Sequence, residues 1–208
     1  IIAPYRPLCY TPFSMATTLE ITHISYTFPT ETKEALSPTV RLEPLKYSDE
    51  TLTVWVKWMN DPDIRQYMYA SLTKDKDAIK DWLQFASEAK GRNYFSIISE
   101  NLPAQAGKNI GFISVRRDEK PNDTAEIGIV IGEKDYQSKG IGTKVLKDVL
   151  TKCENDYNLS SVRALIKPFN EKSIKLFTGQ GFIEDARVTV FDEPFIRFIK
   201  PFAKKDTI

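Results

Sequence analysis

Two glycines, Gly140 and Gly142, stand two apart in the stretch YQSKGIG, directly after the run AEIGIVIG at 125–132. The run reads as a strand. The next stretch, IGTKVLKDVLTKCEND at 141–156, sets Ile141, Val145, Leu146, Val149, Leu150 and Cys153 on one helical face. The glycines therefore fall where a strand hands over to a helix. A helix start leaves backbone N–H groups unpaired and carries about half a positive charge, so phosphate binds there without a dedicated cation. Glycine keeps side chains out of the phosphate's way and lets the loop curl into a nest of amides. Lys139 and Lys144 add charge at the rim. The structural use of the same pair is a tight turn at Gly140 and a packing contact at Gly142. Two other phosphate loops are excluded. Val145 stands where the dinucleotide fingerprint needs a third glycine, and the Gly-Lys-Ser/Thr end of a P-loop is missing.

The elements that must hold this loop can be read on both sides of it. YFSIIS (94–99), NIGFISVR (109–116) and AEIGIVIG (125–132) are strands, joined through Pro103 and Gly107 and through PND at 121–123. After the long helix come a strand over 162–167, a helix over 170–180, and a closing hairpin built from 182–191 and 194–200. Upstream, TVRLEPL (39–45) alternates as an edge strand with Pro44 near its end. Ser48 caps a helix carrying Leu52, Trp55, Val56, Trp58 and Met59, which Asn60-Asp61-Pro62 breaks. A short helical piece spans 62–68, and an amphipathic helix spans 75–90, ended by Gly91. An antiparallel meander followed by a strand-helix-strand crossover predicts an α+β (mixed α/β) fold. It has a mixed, mostly antiparallel sheet of six to seven strands and helices on both faces.

Gln137-Ser138-Lys139-Gly140-Ile141-Gly142 fits the pattern Q/R-x-x-G-x-G/A, and Asn170-Glu171-Lys172-Ser173 followed by Gly181-Phe182 fits N-x-x-S/A…GF. In these motifs, their order and their spacing, residues from about 39 to 200 resemble the GNAT superfamily of acyl-CoA-dependent N-acetyltransferases. The AEIG stretch and the N-D-P break are similar to those of the branch that acetylates the α-amine of ribosomal proteins. The resemblance implies a three-layer GNAT-like domain over 38–208, with acetyl-CoA as co-substrate and no metal. It implies that the pyrophosphate lies in the glycine loop and the pantetheine arm between splayed strands at 125–132 and 162–167. The residues it sets beside the coenzyme are Ile127, Gly128, Ile129, Val130, Gln137, Ser138, Lys139, Gly140, Ile141, Gly142, Thr143, Asn170, Lys172 and Phe177.

Acetyl transfer to an amine needs a base for the ammonium, donors for the oxyanion, and a proton for the leaving thiolate. Glu126 is the candidate base, and desolvation among Ile127, Ile129 and aromatic neighbours is the expected means of activating it. Backbone N–H groups near Gly128 to Val130 are the candidate oxyanion donors. Many members of the family place a tyrosine acid where this chain has Phe177, which has no proton to give. Ser173 remains, either as a donor or relay to the thiolate or as a plain capping and packing residue. Asn170 both caps its helix and reaches the pantetheine arm. The acceptor falls to the N-terminal half, dense in aromatics and mixed charge, with Trp58, Asn60, Asp61 and Tyr67 as candidate contacts. Core packing accounts for at least one of Trp55 and Trp58. The acceptor is a protein N-terminal amine or a small amine such as an amino sugar, polyamine or aminoglycoside. A non-catalytic acyl-CoA-binding module is the alternative.

Composition bounds the remainder. The chain has 208 residues, 29 Lys plus Arg against 28 Asp plus Glu, and a formal net charge of +1, which gives no support to a nucleic-acid or membrane-surface partner. Cys9 and Cys153 form neither a disulfide framework nor a metal spacing, and His23, the only histidine, lies in the N-terminal segment. No apolar run reaches the ~20 residues of a membrane helix, and prolines interrupt the opening stretch where a signal peptide would need apolar continuity. Met15 is a possible start. The expectation is a cytoplasmic monomer or homodimer with a poorly ordered extension over 1–37.

Overall fold

The computed structural model describes residues 39–69, 74–88, 92–100, 106–117 and 123–203. The extension expected over 1–37, the stop at Gly91 and the turn residues Pro103, Pro121 and Asn122 lie outside them. The elements are β1 (Val40–Pro44), α1 (Asp49–Asn60), α2 (Pro62–Arg65), α3 (Lys76–Glu88), β2 (Arg92–Ser99), β3 (Asn109–Arg117) and β4 (Thr124–Ile131). A 3-10 turn (Lys134–Tyr136) follows, then α4 (Ile141–Asn155), β5 (Ser161–Ile166), α5 (Glu171–Thr178), β6 (Ile183–Val190) and β7 (Glu193–Pro201). The strands form one sheet in the order β1-β2-β3-β4-β5-β7-β6, and every neighbouring pair is antiparallel except β4 with β5. This is the mixed, mostly antiparallel sheet predicted from the sequence.

Local chemistry sets the boundaries. Ser48 Oγ accepts the Thr51 N–H at 3.1 Å, and Asp49 and Glu50 occupy the positive first turn of α1. Asp61 accepts the Asp63 N–H at 2.9 Å and so starts α2, with Pro62 at its first position. That helix stops at Arg65, short of the expected 62–68, and residues 66–68 are turn and bend.

The sheet separates two cores. On one face α4 and α5 bury Val145, Leu146, Cys153 and Phe177 against Ala125, Ile127, Val162 and Ile196. On the other, α1 and α3 bury Trp55, Trp58, Ile79 and Leu83, with Phe112 and Val130 beneath them. Helices therefore cover both faces, as expected. Trp58 is fully buried, and Gly132 permits this, since a Cβ there would strike the indole ring. Cys153 is likewise buried, and burial pushes its thiol up to about 12. No helix among the described residues is long and apolar enough to cross a membrane.

Candidate active site

β4 and β5 pair only at Thr124↔Ser161, Ala125↔Val162 and Glu126↔Arg163. Beyond Glu126 the two strands part, while β5 stays paired with β7 through Ile166. The phase of the β3–β4 ladder fixes what faces the opening. Gly132 N–H bonds Ile110 O at 2.9 Å, so by alternation the amides of Gly128 and Val130 also turn toward β3. Those of Ile127, Ile129 and Ile131 turn toward β5. Past the end of the short ladder, Ile129 carries the first amide aimed into the seam. This corrects the wider assignment of the oxyanion donors to Gly128 through Val130. The Ile131 carbonyl is already engaged, accepting from Gln137 Nε2 at 2.9 Å.

The glycine loop closes the far end of the seam. Ser138 (φ 59°) and Gly140 (φ 78°) both lie in the left-handed region, and α4 starts at Ile141 with no side-chain cap. The Lys144 N–H returns to Gly140 O at 3.1 Å, leaving the first-turn amides of Ile141, Gly142 and Thr143 without a capping side chain. A Cβ on Gly140 would meet nothing within 4 Å, and one on Gly142 would meet only the Leu176 methyls at 3.5 and 4.0 Å. Packing inside the protein therefore does not demand glycine at 142. A helix start with free first-turn amides is the kind of place at which phosphate binds. Ser138, Lys139 and Thr143 are exposed around it.

Glu126 stands at the point where the strands part, on the face away from Ile127. Its Oε1 accepts from Arg116 Nη2 and from the Tyr69 hydroxyl at 3.1 Å; Oε2 lies 3.4 Å from Arg163 Nε. Arg116, Glu126 and Arg163 are cross-strand partners in one row of β3, β4 and β5. The apolar surroundings expected for this carboxylate are thus replaced by two guanidiniums and a phenol. Burial, with the charge of Glu126 adding to it, pushes the Tyr69 phenol up to about 12, so it is a hydrogen-bond donor at neutral pH. Sequence reasoning missed Arg116, although a turn centred near 121 already sets it opposite Glu126. It also missed Arg163 and the tie of Tyr69 to Glu126, for which only the folded register gives a signal.

At the other side of the seam, Asn170 Oδ1 accepts the Ser173 N–H at 3.1 Å and caps α5. The described residues give the Ser173 hydroxyl no hydrogen-bond partner. Lys172 is exposed on the first turn. Phe177 is 3% exposed and meets Phe182 edge-on at 5.0 Å. It is a core residue, which corrects its assignment to the coenzyme surface.

Residues 39–183 match the family model described as the acetyltransferase (GNAT) domain. The chain belongs to the GNAT acetyltransferase family. It is 26% identical over 164 residues to the uncharacterized N-acetyltransferase p20 of Bacillus licheniformis, covering 77% of this chain and 89% of that one. Among solved structures it is similar to the aminoglycoside acetyltransferase AAC(6')-Ib in complex with coenzyme A, at TM-score 0.62 and 18% identity over 78% of this chain and 94% of that one. It is also similar to the spermidine N-acetyltransferase of Vibrio cholerae in complex with CoA and spermine, at TM-score 0.65 and 16% identity over 78% and 95%. The structural matches establish the GNAT fold; the family model establishes an N-acetyltransferase.

The four residues named as candidate acceptor contacts separate. Trp58 donates its Nε1–H to Glu133 Oε1 at 3.0 Å inside the core, so it is not an acceptor contact. Asn60 is used at the α1 end, donating to Val56 O at 2.9 Å. Asp61 caps α2 and meets Lys134 at 3.0 Å, and that hydrogen bond holds its carboxyl below the usual range. These two serve the α1–α2 corner. Tyr67 alone of the four faces the far side of the seam, its exposed ring 5.8 Å from that of Phe169.

Proposed function

We propose that this chain transfers the acetyl group of acetyl-CoA to a primary amine by direct attack in a ternary complex. One observation carries the reading: β4 and β5 part immediately after Glu126, in line with the uncapped, glycine-led start of α4. The loop amides of 137–142 and the first turn of α4 take the diphosphate, and the seam takes the pantetheine arm, with Ile129 N–H at the thioester carbonyl. Asn170 and Lys172 flank the arm.

Glu126 is the proton acceptor. A carboxylate offers about four lone-pair sites. Arg116 and Tyr69 fill two and Arg163 a longer third, so one remains for the amine or a bridging water. Ser173, with its hydroxyl uncommitted, is the hydrogen-bond donor toward the departing sulfur. The AEIG and N-D-P stretches, similar to the ribosomal-protein branch, favour a peptide α-amine. The solved relatives favour a small amine, since their complexes hold an aminoglycoside or spermine.

The test is release of free thiol from acetyl-CoA across a panel of amines and N-terminal peptides, with CoA binding read by thermal shift. Coenzyme at about 100 times its dissociation constant stabilises a protein by roughly 2.7 kcal/mol. Thiol release with at least one acceptor is the expected result. Binding without release across the panel would favour a second reading, an acyl-CoA-binding module, for which the apolar Phe177 is the supporting observation.

A further inference from the structure

Among the described residues four large hydrophobic side chains are exposed: Tyr67 (38%), Phe169 (57%), Phe191 (45%) and Ile183 (61%). Single exposed apolar residues are ordinary, but three of these four gather at one place. Tyr67 and Phe169 meet at 5.8 Å across the mouth of the seam. Phe191, at the tip of the β6–β7 hairpin, meets Tyr69 edge-on at 6.1 Å, and Tyr69 meets Phe195 at 5.1 Å. Lys167 joins the two halves: it lies 4.4 Å over the Phe195 ring and immediately precedes Pro168 and Phe169. The result is a collar of aromatic rings from three separate elements, with Tyr69 reaching from its floor to Glu126.

The charges in the collar are not arranged for a polycation. The carboxylates beneath the rings are held by cations of the protein itself, Glu126 by Arg116 and Arg163, and Glu193 by the buried Lys167 at 2.7 Å; Asp192, beside Phe191, is an exposed carboxylate at the rim. A polyamine or aminoglycoside would have to displace a guanidinium at Glu126 or an ammonium at Glu193, and would find one carboxylate, not a cluster, at the rim. An amine carrying one apolar group needs no such exchange, since its substituent stacks on the rim while the nitrogen reaches Glu126. We infer that the acceptor is a monoamine with an aromatic or branched apolar substituent beside the nitrogen, chosen by Tyr67, Phe169 and Phe191. This rests on the acetyltransferase reading above and narrows it.

The experiment compares 2-phenylethylamine, a short peptide amide beginning with Phe, the same peptide beginning with Gly, and spermidine. Thiol release gives kcat/KM for each, and calorimetry on the CoA-saturated protein gives affinity independently of turnover. A stacked aromatic pair supports a preference of about tenfold for the phenyl-bearing acceptors over the Gly peptide and spermidine. In the Phe169→Ala, Phe191→Ala double variant, whose replaced rings are exposed, that preference is expected to collapse while the melting temperature holds. Preference for the amine alone or for the peptide alone tells a metabolite from a polypeptide chain, and either supports the collar. Equal or tighter handling of spermidine, or a phenyl preference untouched by the double variant, overturns it. A phenyl preference in binding with no thiol released from any acceptor would overturn the transferase reading and leave the collar standing.

Discussion

Glu126 is surrounded by donors, and its neighbours decide what a substitution there does. Replacing it with glutamine keeps the shape and removes the charge that Arg116 and Arg163 share. The coenzyme contacts proposed above lie further along the seam, so CoA affinity is expected to stay while kcat falls about 100-fold, the lower range for loss of a general base. Unchanged turnover would remove Glu126 from the chemistry. Tyr69→Phe is the finer probe. It keeps the rings against Phe191 and Phe195 and deletes one hydrogen bond to a charged oxygen. About a tenfold loss in kcat, with the KM for acetyl-CoA unmoved, is expected from a bond of that kind. A rise in the acceptor KM alone, with kcat intact, would make Tyr69 a wall of the site and nothing more. Glu126 was legible in the sequence because strand alternation sets it apart from Ile127. Arg116 could have been read from the turn near 121, but Tyr69 could not, because it lies 57 residues away and meets Glu126 only once the sheet has formed.

The two glycines of the α4 loop look alike in the sequence and differ in the fold, which makes them separable. Gly140 holds φ at 78°, a conformation that costs an L-residue roughly 1–2 kcal/mol. Gly140→Ala is therefore expected to lower the melting temperature by a few degrees, the shift about 1 kcal/mol produces in a domain of this size. Gly142 sits on the first turn of α4 with ordinary room for a Cβ beside Leu176. Gly142→Ala is expected to leave the melting temperature alone and to keep CoA binding within a few-fold of wild type, because the G-x-G/A pattern admits alanine at this position and the methyl meets only Leu176. Calorimetry and thermal melts on both variants give the comparison, and a tenfold loss of CoA affinity in Gly142→Ala would show that the site needs glycine itself there. The strand and helix runs could be read from periodicity alone, and Ser48 and Asn170 announced their caps. The opening of the β4–β5 seam could not be read this way. It is a matter of register between strands separated by a whole helix, and the residues Ile129 to Ile131 carry no mark of being unpaired.

At the scale of the molecule, the loop after β4 is tied to α1 and to β3 by one carboxylate, Glu133, that the sequence reading did not single out. Glu133 is 6% exposed, and it accepts from Lys57 at 2.7 Å, from Trp58 at 3.0 Å and from Lys108 at 2.8 Å. Three parts of the chain thus meet on one side chain: α1, the entry to β3, and the approach to the glycine loop. Burial works against its charge, but hydrogen bonds from Lys108, Lys57 and Trp58 outweigh it and hold the carboxyl at about 2, against an ordinary 4.5. Because the folded value is the lower one, the stabilisation is present in full above about pH 4.5 and drains away as pH falls toward 2. Each pKa unit is worth ~1.4 kcal/mol, and half-exposed lysine partners discount the sum, so on the order of 2 kcal/mol is at stake. Glu133→Gln retains an acceptor for Trp58 and loses both ion pairs. Its denaturation midpoint is expected to fall below wild type at pH 7, and the gap is expected to narrow steadily from pH 4.5 downward. The other carboxylates titrate alike in both proteins, so the difference between the two curves isolates this residue. A gap that stays constant from pH 7 to pH 3 would mean that shape and packing at Glu133, and not its charge, join the three parts.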